Sequence, residues 1–284
     1  MKHLFAILLT FSLLLIIAAC AAAPTDAEQP APQAEPTPVL EEAPPEAPPM
    51  EEEPFLGSES VEPVQKSELI PNTILYQGHA SIRITTPEDK IIYIDPWGGN
   101  TLFTIEGYDL PADLILVTHE HGDHSEISII KEQSPDCQTI TWSEAILEIT
   151  YTEDWQIKST EYDSFDLGFV KVEATAGCHI GGVSYLLTLS NGKKIWVGGD
   201  VEKMDDELII QLAAQNLDYA FFSCDGSNVM DTTAATAYAA RINAKHSIPY
   251  HTTWPNSPFD LNIAEQFQAE GRIIMEPGDI ITIE

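Results

Sequence analysis

The chain has 284 residues with 45 acidic and 13 basic side chains, which gives a formal net charge of −32 at pH 7. Such an excess of negative charge repels nucleic acid and anionic lipid, and this argues against a nuclease and predicts no nucleic-acid partner. Residues 66–284, which hold 34 of the acidic and 12 of the basic side chains, are numerous enough to form one sizeable core.

The N-terminus has the pattern of an export signal. An apolar stretch at residues 4–17 follows the weakly basic start at Lys2. Residues 17–20, with the sequence Ile-Ala-Ala-Cys, resemble a bacterial lipobox, which implies cleavage before Cys20 and a lipid on that cysteine. We therefore predict a lipoprotein signal peptide at residues 1–19 and an extracytoplasmic protein anchored to a membrane through Cys20.

Two other interpretations of the N-terminus stay open, a plain signal peptide and a short membrane anchor. The apolar run is shorter than the roughly 20 residues that a membrane-spanning helix needs. Residues 20–65 are rich in Pro, Glu and Ala and contain no Lys or Arg. A segment of this composition cannot bury enough apolar surface to fold, so we predict a disordered tether before a single domain at residues 66–284.

Apolar runs separated by turn residues predict strands within this domain, and helical spacing predicts four helices. The strands are expected at residues 73–76, 81–84, 90–95, 114–118, 170–173, 183–189, 194–197, 272–275 and 280–283, and a further apolar run ends at residue 251. The helices are expected at residues 125–132, 203–215, 231–243 and 260–269. Asn191-Gly192 favours a hairpin, and the mixture of hairpins and helices indicates an α/β layered fold.

The strongest motif is the sequence LILVTHEHGDH at residues 114–124, in which a buried strand ends in three histidines and a carboxylate. His119 and His121 are two residues apart, so in an extended segment both rings would point the same way. Asp123 and His124 follow the turn at Gly122. The side chains on either side of this turn therefore point in different directions from one strand end, as ligands of two neighbouring metal ions would. Neutral imidazoles and a carboxylate suit zinc or a similar divalent ion.

Three later residues stand at the ends of apolar runs and are candidate ligands. They are His179 in a glycine-bounded loop, Asp200 after Gly198-Gly199, and His251 after Pro249-Tyr250. Each of them, taken singly, also fits a role without function. His179 fits a surface loop residue, Asp200 a turn carboxylate and His251 a buried structural histidine.

The motif at residues 119–124, together with these three residues, resembles the signature of the metallo-β-lactamase superfamily. The resemblance implies an αββα sandwich with two divalent metal ions, most readily zinc, although manganese and iron accept the same ligands. It assigns His119, His121 and His179 to one metal, Asp123, His124 and His251 to the other, and Asp200 to a bridging position. It also implies a hydroxide held between two cations, with Asp123 orienting this nucleophile and accepting the proton that the parent water molecule loses.

Shorter motifs narrow the resemblance to one branch. Residues 78–81, 94–97 and 248–251 resemble the ascorbate-phosphate-lactonase-like metal-dependent hydrolases. Diiron oxygen-reducing members typically have Glu where His121 stands, which favours hydrolysis over redox chemistry. The expected function is a metal-dependent hydrolase that cleaves an ester, lactone, amide or phosphodiester bond of a small molecule at the cell envelope.

Two other functions are also open for a protein with these residues. A β-lactamase is one, although classical zinc β-lactamases commonly have Cys where Asp200 stands. A metal-binding sensor or binding lipoprotein without hydrolytic activity is the other. His79 is a candidate proton donor or substrate contact, and Asp95 is expected to orient a ligand histidine. Cys137, Cys178 and Cys224 can form at most one disulfide within the domain, and the sequence does not say which.

Overall fold

The computed structural model describes residues 69–142, 156–159, 163–177 and 181–284. The predicted signal peptide and tether at residues 1–65 lie outside the described residues. Within the described ranges, none of the helices is both long and apolar enough to cross a membrane.

Thirteen strands in the described part of the chain form two sheets. The first sheet has the spatial order β13-β1-β2-β3-β4-β5-β6. Its members are β1 (Thr73–Gly78), β2 (Ser81–Thr85), β3 (Ile91–Ile94), β4 (Ala112–Val117), β5 (Gln133–Trp142), β6 (Gln156–Ser159) and β13 (Ile280–Thr282). The strands from β13 to β3 pair antiparallel and those from β3 to β6 pair parallel, so β3 to β6 end at the same edge.

The second sheet has the spatial order β12-β11-β10-β9-β8-β7. Its members are β7 (Ser164–Asp166), β8 (Val170–Thr175), β9 (Ser184–Leu189), β10 (Lys194–Val197), β11 (Tyr219–Ser223) and β12 (His246–Tyr250). Strands β10, β11 and β12 run parallel, so they also end at one edge. The hairpin predicted at Asn191-Gly192 joins β9 to β10, and Gly192 takes the positive φ of 82° that this turn requires.

The core lies between the inner faces of the two sheets. Trp142 from the first sheet belongs to the same buried apolar cluster as Phe221 and Tyr250 from the second. The two faces are close enough for the hydroxyl of Tyr185 on β9 to donate a hydrogen bond to the Val117 carbonyl of β4 at 3.0 Å. Burial of these apolar faces therefore holds the two carboxyl edges side by side.

Three helices pack on the outer face of the second sheet. They are α1 (Asp206–Ala214), α2 (Thr232–Ile242) and α3 (Leu261–Gln266). Side chains alternate along β11, so Phe222 points away from the core and packs with Leu208 of α1, Ala235 of α2 and other apolar residues in a second buried cluster. The predicted α/β sandwich is thereby confirmed as two facing sheets with few helices.

Two of the predicted elements are wrong. The helix expected at residues 125–132 is only a 3-10 turn, Ile127–Ile129. Glu126 is drawn into a tertiary contact, since its N–H donates to Pro96 O and its carboxylate accepts from the Gly98 N–H. The strand expected at residues 272–275 is also not formed. Arg272 makes a single isolated bridge with Ser247, and its guanidinium donates hydrogen bonds to the carbonyls of Glu265 and Phe267 at the end of α3.

The three remaining helices match their predictions within a few residues, and their caps are visible in the structure. Asp205 precedes α1, and its carboxylate accepts a hydrogen bond from the Leu208 N–H at 2.8 Å. This contact satisfies one of the backbone donors that a helix start leaves without an intrahelical partner.

Replacing Asp205 with Ala should lower the free energy of unfolding by about 1 kcal/mol, because the first turn of α1 loses its cap. Urea denaturation followed by tryptophan fluorescence measures the change. Asp205→Asn is the matched control, since an amide oxygen can still accept the bond, and it should stay near wild-type stability. Equal stability of all three proteins would show that the cap contributes nothing.

Candidate metal centre

The loop that carries most of the predicted ligands begins where β4 ends. Asp95, directly after β3, accepts hydrogen bonds from the backbone N–H and from the hydroxyl of Thr118, both at 2.7 Å. Its Oδ2 also accepts a hydrogen bond from His124 Nδ1 at 2.9 Å. Asp95 is fully buried. This carboxylate therefore fixes both the start of the loop and the orientation of one imidazole, in agreement with its predicted role.

One candidate ligand group contains His119, His121 and Asp200, whose ligand atoms all lie within 4.8 Å of one another. His119 Nε2 is 3.1 Å from His121 Nδ1 and 3.7 Å from Asp200 Oδ2. The backbone bends at His119 instead of continuing as a strand. The two rings consequently meet edge to face, with their planes 72° apart, and do not point the same way as an extended segment would place them.

The second candidate group contains His79, Asp123, His124 and His251, again with ligand atoms within 4.8 Å of one another. His124 Nε2 and His251 Nε2 lie 3.2 and 3.3 Å from Asp200 Oδ1. Asp200 therefore directs Oδ2 toward the first group and Oδ1 toward the second. This is the position that a bridging carboxylate would occupy.

His79 belongs to the second group but lies below the surface of the molecule. Its Nε2 is 3.0 Å from Asp123 Oδ2, and the residue is fully buried. Burial and the neighbouring His251 lower the pKa of His79 to about 4, so the ring is neutral at pH 7. Because His79 contacts Asp123 and lies buried, the geometry supports a role in positioning Asp123. The predicted role as a proton donor stays a prediction.

Asp225 is a site residue that the sequence analysis missed. It follows β11, and its Oδ2 lies 3.1 Å from His251 Nδ1. Its Oδ1 accepts hydrogen bonds from the backbone N–H groups of Ser227 and Asn228. The signal in the sequence is Asp225-Gly226 directly after an apolar run, the same pattern of a carboxylate at a strand end that singled out Asp200.

Opposite charges stabilise the centre of the cluster. Burial alone would lower the pKa of His124, but the carboxylates of Asp200 and Asp95 hold it well above its usual value. Burial alone would raise the pKa of Asp200, but His124 and His251 hold it well below its usual value. The Asp200 carboxylate is therefore ionised at neutral pH and is available as a ligand.

The donor set fits a divalent metal ion. His124 Nε2 and His251 Nε2 are buried and make no hydrogen bond, although both face the Asp200 carboxylate. Buried polar atoms without a hydrogen-bond partner are costly, and a cation between these nitrogens would satisfy them. Their Nδ1 atoms lie against Asp95 and Asp225, which favours the tautomer whose Nε2 lone pair can bind a metal.

An open cavity of about 990 Å³ lies over the candidate ligands. The described residues that line it are Trp97, His121, Gly122, Asp123, Asp200, Glu202, Ser227, Asn228, Val229, His251 and Trp254. A small molecule bound in this cavity would therefore contact Asp123, Asp200 and His251 directly.

The family model described as "Beta-lactamase superfamily domain" matches residues 73–251, which include β1 to β12 and every candidate ligand. The chain belongs to the β-lactamase superfamily. The match covers most of both sheets and confirms the superfamily to which the motif at residues 119–124 pointed.

Curated relatives in this superfamily are named UPF0173 metal-dependent hydrolases. One from Geobacillus thermodenitrificans is 28% identical over 201 residues, which are 64% of this chain and 86% of that protein. One from Cupriavidus taiwanensis is 29% identical over 245 residues, which are 72% of this chain and 85% of that protein. The predicted metal-dependent hydrolase agrees with these names.

Solved structures show the same fold. The metallo hydrolase Igni18 from the archaeon Ignicoccus hospitalis aligns with a TM-score of 0.60 at 18% sequence identity, over 75% of this chain and 98% of that chain. At this identity the likeness concerns the arrangement of the two sheets and their helices.

The structure brings together six of the seven predicted ligands, namely His119, His121, Asp123, His124, Asp200 and His251. His179, the seventh, lies outside the described residues, as does Cys178, so their roles stay predictions. Cys137 and Cys224 are buried free thiols, and burial raises the pKa of Cys224 to about 12, which makes it unreactive.

Replacing Asp95 with Asn should weaken metal binding by about tenfold to a hundredfold, because His124 loses the charged partner that orients it. Competition with a chromogenic chelator measures the affinity. Asp113→Asn is the matched control, since Asp113 lies on β4, away from the cluster, and accepts bonds from Lys90 and the Ile91 N–H. Equal metal affinity of both variants would contradict the role of Asp95.

Proposed function

We propose that this protein is a hydrolase that holds two divalent metal ions, most readily zinc, and cleaves an ester, lactone, amide or phosphodiester bond of a small molecule. The observation that carries the proposal is the position of Asp200, with one carboxylate oxygen toward each of two ligand groups. The names of the curated relatives and the superfamily match support it.

The candidate ligands divide between the two ions. His119 and His121 would hold one, with His179 as the predicted third ligand. Asp123, His124 and His251 would hold the other, and Asp200 would contact both. Two ions bound there would lower the pKa of a water molecule between them and withdraw charge from the bond under attack.

Asp123 is the candidate catalytic base. It lines the cavity, whereas His79 lies behind it. Burial alone would raise its pKa, but the hydrogen bond with His79 and the charge of His124 hold the pKa below its usual value. Asp123 is therefore ionised at neutral pH, so it can orient an attacking water and accept its proton. His79, held 3.0 Å away, keeps the carboxylate in that orientation.

We also propose that the hydrolase works outside the cytoplasm on a lipid anchor. The support is the lipobox-like sequence before Cys20 and the Pro- and Glu-rich composition of residues 20–65. The family match starts at residue 73, so the whole of this segment precedes the region that resembles the family.

Replacing Asp200 with Ala should remove at least one of two bound metal ions and lower activity by about a thousandfold, because both ligand groups lose a shared carboxylate. Mass spectrometry with an inductively coupled plasma source measures the metal content of the chain that begins at residue 21. The control is Asp166→Ala at the exposed end of β7, where the carboxylate accepts a hydrogen bond from the Gly168 N–H. Full metal content in Asp200→Ala would refute the bridging role.

Replacing Cys20 with Ser should move the protein from the membrane to the soluble fraction of a bacterial host, because no lipid can be attached. Metabolic labelling with a fatty acid, followed by fractionation, measures both effects. The control is Cys137→Ser, a buried thiol in β5, which should stay labelled. Unlabelled wild-type protein in the soluble fraction would show that the anchor is not formed.

A further inference from the structure

One wall of the cavity is aromatic. Trp97 and Trp254 both line it, with ring centroids 5.5 Å apart and planes tilted by 40°. Trp97 is buried against Phe103, whereas 39% of Trp254 is exposed. Asn100 ties the two segments together by donating a hydrogen bond to Pro255 O at 2.9 Å. A large exposed ring held in place beside the candidate ligands offers a flat apolar surface to a substrate.

Another part of the described lining is mostly polar and contains no lysine or arginine. Ser227, Asn228 and Val229 line it on a loop fixed by Asp225, and Met230 anchors the loop through a bond from its N–H to Val201 O. Glu202 adds an exposed carboxylate to this side of the cavity. An occupant of the cavity would therefore meet polar groups from the loop and the carboxylate of Glu202.

In the part of the chain that the structure describes, no lysine or arginine lines the cavity. The lysines whose side chains are not described are Lys2, Lys66 and Lys158, and Lys158 lies on β6, two strands away from β4. Sites that bind phosphate groups normally supply guanidinium or ammonium groups for them. The described lining of this cavity supplies none.

The charge balance at the ligands points the same way. Asp123, Asp200 and Glu202 line the cavity, and Asp95 and Asp225 lie against ligand histidines. Two divalent ions would bring four positive charges against these five carboxylates. The site would therefore keep no positive excess to attract an anionic substrate.

We propose, on the basis of the proposed hydrolase function, that the substrate is a carboxylic ester, lactone or amide without negative charge whose acyl part carries a flat apolar group. That group packs against Trp254, and the scissile carbonyl lies over Asp123 and Asp200. Glu202 repels anionic analogues. Of the four bond classes open to the hydrolase, the phosphodiester, which carries a negative charge, is the one that this lining favours least.

The test compares para-nitrophenyl phenylacetate with its para-carboxyphenylacetate analogue, para-nitrophenyl acetate and bis(para-nitrophenyl) phosphate on the zinc-loaded full-length protein. We expect kcat/KM for phenylacetate to exceed that for the carboxylated analogue by about tenfold and to exceed that for the phosphodiester by more. Similar values for the first two esters, or faster cleavage of the phosphodiester, would overturn the inference while leaving a hydrolase.

Two pairs of variants test the contributions of Trp254 and Glu202 to substrate preference separately. Trp254→Ala should lower kcat/KM for the phenylacetate ester about tenfold relative to the acetate ester. Trp254→Phe should keep the wild-type ratio, because its ring still offers a flat surface. Glu202→Lys should reduce severalfold the gap, which is the ratio of kcat/KM between the neutral and the carboxylated phenylacetate esters. Glu270→Lys, the same charge change at an exposed residue that does not line the cavity, should leave the gap unchanged. A uniform loss on all esters in Trp254→Ala would overturn the stacking role.

Binding distinguishes this inference from the hydrolase proposal itself. Phenylacetohydroxamate and its para-carboxy analogue are metal-chelating ligands that are not turned over, and quenching of tryptophan fluorescence reports their affinity. Tighter binding of the neutral compound without hydrolysis of any ester would support the ligand preference and refute the hydrolase. Equal binding of the two would refute the preference whether or not esters are cleaved.

Discussion

The contact on which the rest of the site depends is the approach of Asp200 to imidazoles from both candidate groups. Asp200 follows β10 of the second sheet, whereas His119 and His124 follow β4 of the first. The contact is therefore made only when the carboxyl edges of both sheets meet. Gly199 allows this approach, because a Cβ there would lie 2.8 Å from Thr118 Oγ1 and because its φ is +66°. The hydroxyl of Tyr250 on β12 also accepts a bond from the Gly199 N–H at 2.7 Å.

Burial of so many ionisable groups costs free energy unless each has a partner. Here the ligand histidines contact further carboxylates on the side away from Asp200. Asp95 supports His124 from the first sheet, and Asp225 supports His251 from the second. Three non-glycine residues of this shell, His79, Asp95 and His251, have φ between 45° and 53°. L-residues rarely adopt this conformation, and it persists only where surrounding contacts impose it. The apolar core between the sheets supplies the stability that offsets these costs.

The cavity is lined by residues outside the candidate ligands as well as by some of the ligands themselves. Trp97 follows β3 of the first sheet, whereas Trp254 and Asn228 lie on loops that follow strands of the second. These loops carry aromatic and polar side chains but no cation among the described residues. In the proposed hydrolase these loops would select the substrate, because loops vary more readily than the strand ends at which the ligands stand.

The sequence by itself determined what is local. The ligand motif at residues 119–124 is contiguous, helical spacing identified α1 to α3, and an apolar run marked the strand before each ligand. Only the tertiary structure decided the rest. Strand β5 is absent from the predicted strands and contains Pro135 and Asp136, yet it pairs with β4 through an irregular register. Glu126 makes hydrogen bonds with Pro96 and Gly98, and no helix forms at residues 125–132. The supporting role of Asp225 and the wall formed by Trp254 depend on residues distant in the chain. Periodicity and turn chemistry act over a few residues, whereas these contacts form only when two sheets pack face to face.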